Sequence, residues 1–219
     1  DYGHLPEVTV NTDGTGTIKK HYCMGRISHE LIQVMPDERT ALMGDDATNG
    51  GLFMFVADTA KDLSAGTLYV AQYISDLNSS STPAIHWIKL GHATSAEIKT
   101  LVDSGIQPTD IMESLTTDPG DASYTPIVLQ KKTLWVKLKP GMEKAAAFLE
   151  THRYAAMLGG STGFSKMEGT CVNIKDKKAY SAISYIKDSM VTGKTGNVPA
   201  NHIAFPSAIQ AGGVLQHNL

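Results

Sequence analysis

Cysteine is scarce. Cys23 and Cys171 are the only two in 219 residues. They make neither a disulfide framework nor a zinc-binding spacing. One bridge in an oxidising compartment or two thiols both remain open, with buried thiols the commoner outcome. Charge of one sign is lacking too: 22 acidic residues against 19 basic give a formal net charge of −3. So even a balance leaves no electrostatic footprint for nucleic acid. Long apolar runs are absent. The Leu52-Phe-Met-Phe-Val-Ala57 stretch falls far short of the ~20 residues of a spanning helix, so no membrane span is expected. Asp1-Tyr-Gly-His-Leu-Pro6 has no basic n-region before an apolar stretch and does not read as a signal peptide, which a mature or truncated chain would also lack. There is no Gly-x-Ser-x-Gly elbow and no His-Glu-x-x-His. Asp13-Gly14-Thr-Gly16 and Gly159-Gly-Ser-Thr-Gly163 lack P-loop or dinucleotide spacing and read as turns. Asp46-x-Thr48-x-Gly50 lacks the alternating acids of an EF-hand loop.

What is present is strand punctuated by turns. Leu31-Ile-Gln-Val-Met35, a polar turn at 36–39 and Thr40-Ala-Leu-Met43 spell a hairpin. Leu52-Phe-Met-Phe-Val56 is apolar throughout and predicts a strand buried on both faces. Residues 58–65 read as a loop, 66–71 and 84–90 as further strands. The pattern then turns helical. Thr94 with Glu97 three residues on is a capping pair ahead of a helix stopped by Gly105. Residues 141–158 predict one continuous helix ended by Gly159-Gly160, with a brief strand at 134–138 before it. Residues 168–174 and 179–185 form a second hairpin that echoes the first: an acid, an apolar strand, a charged turn, a second strand. A final strand is expected at 213–217. Two copies of one unit around a helical insertion at roughly 94–160 suggest a mainly β, propeller-like architecture over 1–219.

Acids fall at strand ends beside loops, where chemistry is usually placed. Glu30 heads the first hairpin, Asp45 and Asp46 follow its second strand, and Glu168 heads the matching hairpin. If the hairpins are equivalent, Glu30 and Glu168 face one central space. Converging carboxylates cannot all stay ionised without a cation, and oxygen donors favour hard cations such as Ca2+, Mg2+ or ferric iron. Plainer roles compete: turn chemistry for Asp45-Asp46, solvation for a lone Glu, a structural hydrogen bond for His29. Arg26, Arg39 and Lys166 could hold an oxyanion, yet bases beside acids more often pair with them.

Several blocks run in a familiar order: Gly25-Arg-Ile-Ser-His-Glu30, Val34-Met-Pro-Asp-Glu-Arg-Thr40, Met43-Gly-Asp-Asp46, Gly51-Leu-Phe-Met-Phe-Val-Ala-Asp58 and Leu63-Ser-Ala-Gly-Thr-Leu-Tyr-Val-Ala71. Trp87-Ile-Lys-Leu-Gly-His92, Phe148-Leu-Glu-Thr-His-Arg-Tyr154 and Phe164-Ser-Lys-Met-Glu-Gly169 continue it. The order resembles the PhoX family of secreted bacterial alkaline phosphatases. The resemblance implies part of a six-bladed β-propeller with Ca2+ and Fe3+ at its axis, hydrolysis of phosphate esters, and a periplasmic or secreted location. It implies metal ligation by Glu30, Asp45 or Asp46, and Glu168, with Lys166 facing the substrate phosphate.

Departures accompany it. Lys166-Met-Glu-Gly169 stands where the best-known members read Arg-Pro-Glu-Trp, so the charge stays but the planar fork for phosphate is lost. Gly163 replaces an acid, and the family's upstream Thr-Cys-Glu-Glu motif and downstream acidic motifs are missing. A secreted propeller that binds calcium, a ligand or a protein partner without catalysis is the alternative, and another metal-dependent hydrolase such as a lactonase is a third reading. A blade takes roughly 40–50 residues, so 219 residues are expected to make only part of a six-bladed ring.

Overall fold

The structure, a computed structural model, describes residues 3–219; Asp1 and Tyr2 of the leading segment lie outside it. Along the chain run β1 (Leu5–Val10), β2 (Gly16–His21), β3 (His29–Val34), β4 (Thr40–Asp45), β5 (Thr48–Gly50), β6 (Leu52–Thr59), β7 (Asp62–Tyr73) and β8 (Ile85–Thr94). Then come α1 (Ser95–Asp103), α2 (Pro108–Ile111), β9 (Met112–Leu115), β10 (Thr125–Leu129), β11 (Lys132–Leu138), α3 (Glu143–Leu149) and α4 (Thr151–Met157). The chain ends through β12 (Phe164–Ser165), β13 (Met167–Asn173), β14 (Lys178–Ile183) and β15 (Gly213–Asn218). The protein is mainly β.

The principal sheet is a five-stranded antiparallel meander, β3-β4-β6-β7-β8. A second meander, β13-β14-β15, packs its first strand against β3 and β4. The apolar run of β6 explains its central place. Phe53 and Phe55 point into a core shared with Met43, Leu68, Val70 and Phe148 of α3, while Leu52 enters a second core with Tyr73, Phe164 and Phe205. Burial on both faces is what an uninterrupted apolar strand requires. The capping pair is realised: Thr94 accepts from the Glu97 N–H at 3.1 Å, and the Glu97 carboxylate accepts from the Thr94 N–H at 2.7 Å.

Three expectations need correction. Residues 58–65 are strand rather than loop, because β6 and β7 pair down to Thr59 and Asp62 and leave a turn of Ala60 and Lys61. Lys61 takes the left-handed conformation (φ 66) without a glycine to announce it. The insertion at 94–160, expected to be helical apart from a brief strand at 134–138, carries a three-stranded sheet, β10-β11-β9. The turn of its hairpin is Gln130-Lys131, both at positive φ as in a type I′ turn, but carrying none of the Asn or Gly that usually signals one. Residues 141–158 are two helices, since Glu150 leaves helical geometry at φ −122, ψ 39. There Thr151 bonds back to the Ala147 carbonyl at 2.7 Å, a bond that bends helices. Both cysteines are free; Cys23 is buried, whereas Cys171 is exposed.

Candidate functional site

The site forms where β4 ends and β13 begins, and a glycine allows the two to meet. A Cβ on Gly44 would lie 2.6 Å from the Met167 carbonyl oxygen, so only glycine lets β13 approach this closely. The approach sets Lys166 and Glu168 beside Asp45 and Asp46. Lys166 sits at the joint between β12, paired with β5, and β13, paired with β14. It holds φ 57, an uncommon conformation for a non-glycine residue that clusters at functional sites. One residue on, the β13–β14 register shifts between Met167 and Gly169, so Glu168 is the extra residue of a β-bulge. A matching shift between His29 and Ile32 places Glu30 in a bulge of β3. Both hairpins therefore aim their leading acid with the same device.

The Lys166 ammonium lies 2.6 Å from Asp46 Oδ1 and 2.8 Å from Glu168 Oε1. Its pKa is raised, first by Asp46 and then by Glu168, while Glu168 is held below the usual carboxylate range by Lys166 and then by the Ser184 hydroxyl that donates to it. Asp45 turns the other way. It is fully buried, accepts from the Ser28 N–H at 3.2 Å, and is bonded to His152 Nε2. Glu30 is exposed on β3. His29 is a structural histidine: its Nε2 meets the Gly25 carbonyl at 3.2 Å and burial lowers its pKa.

Of the five residues expected at the site, the structure brings Asp46, Lys166 and Glu168 together. Asp45 adjoins them, and Glu30 lies on the neighbouring strand β3, with no hydrogen bond or ion pair to them among the described residues. Sequence reasoning missed His152, Ser28 and Ser184. His152 stood inside a recognised block, 107 residues from Asp45, and no spacing could pair them.

Asp46 and Glu168 are hard oxygen donors that already flank one cation, the ammonium, and oxygen donors of this kind suit hard cations. They are two donors of the six to eight that Ca2+ takes, and among the described residues no three His, Cys, Asp or Glu side chains gather around one point. A cavity of about 820 Å³ lies elsewhere, between the five-stranded meander and the β14–β15 hairpin. Its mostly apolar lining, with Leu42, Met54 and Trp87, includes none of these residues. No described helix is long and apolar enough to cross a membrane.

A family model described as alkaline phosphatase PhoX matches residues 1–211. A solved structure, Pseudomonas fluorescens PhoX in complex with vanadate, a transition state analogue, is similar at 21% identity and a TM-score of 0.49. The match covers 83% of this chain and 27% of that one, so the chain spans about a quarter of that protein's length. No curated protein matches it.

Proposed function

Because the chain belongs to the PhoX family of alkaline phosphatases, we propose that it forms a portion of a metal-dependent phosphoric ester hydrolase with a phosphate ester as substrate. The observation that supports this reading is the Asp46–Lys166–Glu168 triad, held by a left-handed residue and a bulge at the meeting of two meanders. The two meanders read as blades of a six-bladed propeller, with residues 1–219 a single incomplete portion of it and 94–160 an insertion. By the same reading the protein acts in the periplasm or outside the cell.

Lys166 presents a point charge to a phosphoryl oxygen, without the bidentate fork of an arginine. Charge shows why the ammonium is not enough. One lysine between two carboxylates leaves the triad at −1, which repels a phosphate dianion. Further positive charge is required. Ca2+ and Fe3+ are the proposed metals, with Glu30, Asp45, Asp46 and Glu168 as proposed ligands. Asp46 and Glu168 are the best placed, since Asp45 is already engaged by His152 and Ser28. When bound, such a cation supplies Lewis-acid polarisation of the phosphoryl group. Ser184 and the bulge hold the Glu168 carboxylate in place, and Asp46 and Glu168 fix the position of the ammonium.

The test is turnover of a chromogenic phosphate monoester by the full-length protein at alkaline pH, with iron and calcium measured on the same sample. The reading expects bound metal, loss of turnover on chelation, and a fall of about 100-fold or more in Lys166→Met, the range for removing one preorganised charge-stabilising group. Protein with no metal and no turnover, or turnover indifferent to both treatments, would overturn it.

A further inference from the structure

Residues 45–50 carry Asp46 out of β4 and into β5, and little backbone pairing holds them there. β5 meets β12 through only two residue pairs, Gly50 with Phe164 and Thr48 with Ser165, and the register shifts between them. So short a ladder does not fix a strand by itself. Yet Lys166 follows β12 directly, and its N–H reaches the Ala47 carbonyl at 3.4 Å. How the Lys166 ammonium meets Asp46 therefore depends on how β5 is held against β12.

A buried side chain supplies what the ladder lacks. Asn49 is fully buried and left-handed at φ 64, a conformation that asparagine visits more readily than most residues. Its amide joins three segments distant in sequence. Oδ1 accepts from the Lys131 N–H at 2.9 Å, in the turn of the β10–β11 hairpin. Nδ2 donates to the Gly196 carbonyl at 2.8 Å and to the Thr162 carbonyl, just ahead of β12, at 3.4 Å. The Gln130 N–H adds a bond to the Thr48 carbonyl at 3.3 Å. Gly196 is what lets its own segment come so near. A Cβ there would stand 3.1 Å from Asn49 Oδ1 and 3.2 Å from Lys131 Cγ, and φ 88 is a glycine conformation. The other end of the turn is gripped by His152 on Asp45. Both grips come from the 94–160 insertion.

We infer that Asn49 is a positioning residue for the Asp46–Lys166–Glu168 site. By fastening β5 to the β10–β11 turn and to the approach of β12, it sets the Asp46 carboxylate against the Lys166 ammonium. The effect on turnover rests on the phosphatase reading, whereas the effect on the ion pair is read without a substrate.

The experiment compares the full-length protein with Asn49→Gly, which removes the amide and keeps a backbone conformation that glycine adopts freely. The first readout is acylation of amines followed by peptide mass spectrometry. The Lys166 ammonium, 2.6 Å from Asp46 and 2.8 Å from Glu168, should react slowly in the parent and several-fold faster in the variant. Lys99, paired with Asp103 on α1, should keep its rate. Gly196→Ala, which retains Asn49 but crowds its amide, should give the same selective rise. A role confined to stability would leave both rates unchanged in the folded protein. The second readout is turnover of a chromogenic phosphate ester. Asn49→Gly should lower kcat about 10- to 100-fold, as loss of a partner that orients site residues does. In a Lys166→Met background it should cost no more than about threefold further, because residues that act as a unit are not additive. Lys166 labelling unchanged in both variants, labelling of Lys99 that rises in step with it, or losses of turnover that multiply would each overturn the inference. Selective labelling of Lys166 in a protein that hydrolyses no ester would support the positioning role while refuting the phosphatase reading.

Discussion

Replacing His152 with alanine should cost about 2–3 kcal/mol of stability. Asp45 is fully buried and has two donors, the Ser28 N–H at 3.2 Å and the His152 ring. Without the ring, a buried carboxylate keeps a single donor. Breaking a fully buried pair by removing one partner costs about 3–5 kcal/mol. The His152 side chain is 21% exposed, so water can enter the vacated space and take up part of that loss. Each kcal/mol lowers the melting temperature by about 2–4 °C in a protein of this size, so calorimetry at pH 7.5 should show a drop of about 4–12 °C. Adding Asp45→Asn removes the stranded charge, and the double variant should regain at least about 1 kcal/mol, a coupling expected of residues in contact. A single variant that melts within a degree of the parent, or a double variant whose losses simply add, would refute the view that this pair ties α4 to β4.

Two other outcomes follow from the geometry. Gly44→Ala should drive a methyl into the Met167 carbonyl, costing about 1–3 kcal/mol as overpacking does; it should also separate Lys166 from Asp46, seen as a fall in the Lys166 pKa by NMR, and an unmoved lysine would count against the close approach as the origin of the triad. Stability should fall by about 2 kcal/mol between pH 7.5 and pH 5 through His4, whose folded pKa of about 4 lies below the ordinary 6.5. The unfolded chain takes up a proton below pH 6.5 while the native ring stays neutral to about pH 4, so this contribution is full above 6.5 and is lost as pH falls. His29, lowered by burial, adds in the same direction. Urea midpoints across that range measure the effect, and a His4→Gln variant with an unchanged slope would sink the assignment.

Much of the local structure was legible. The β3–β4 and β13–β14 hairpins, the doubly buried β6 and the Thr94–Glu97 cap each follow from alternation, turn residues or a capping spacing a few positions long. Where those signals were silent, the reading failed. The Ala60-Lys61 and Gln130-Lys131 turns use positive φ at residues that do not advertise it. The helix of 141–158 is broken at Glu150, which is drawn to Arg26, a residue 124 positions earlier, and to Arg153.

The candidate site divides along the same line. The order of the motif blocks pointed to the PhoX family and to Lys166, and strand-end position singled out Glu30, Asp45, Asp46 and Glu168 as residues that could carry chemistry. Which of them meet was a matter of packing. Gly44 admits β13, Lys166 takes a left-handed turn and Glu168 a bulge, and so the lysine lies between two carboxylates rather than facing open solvent. Asp45 is turned to a histidine more than a hundred residues away, and Arg26 reaches Arg153 across a shared glutamate. Periodicity and propensity act over one or two turns of chain and are written into the sequence directly. Contacts between distant segments depend on how closely whole elements can approach, and only the folded molecule fixes that.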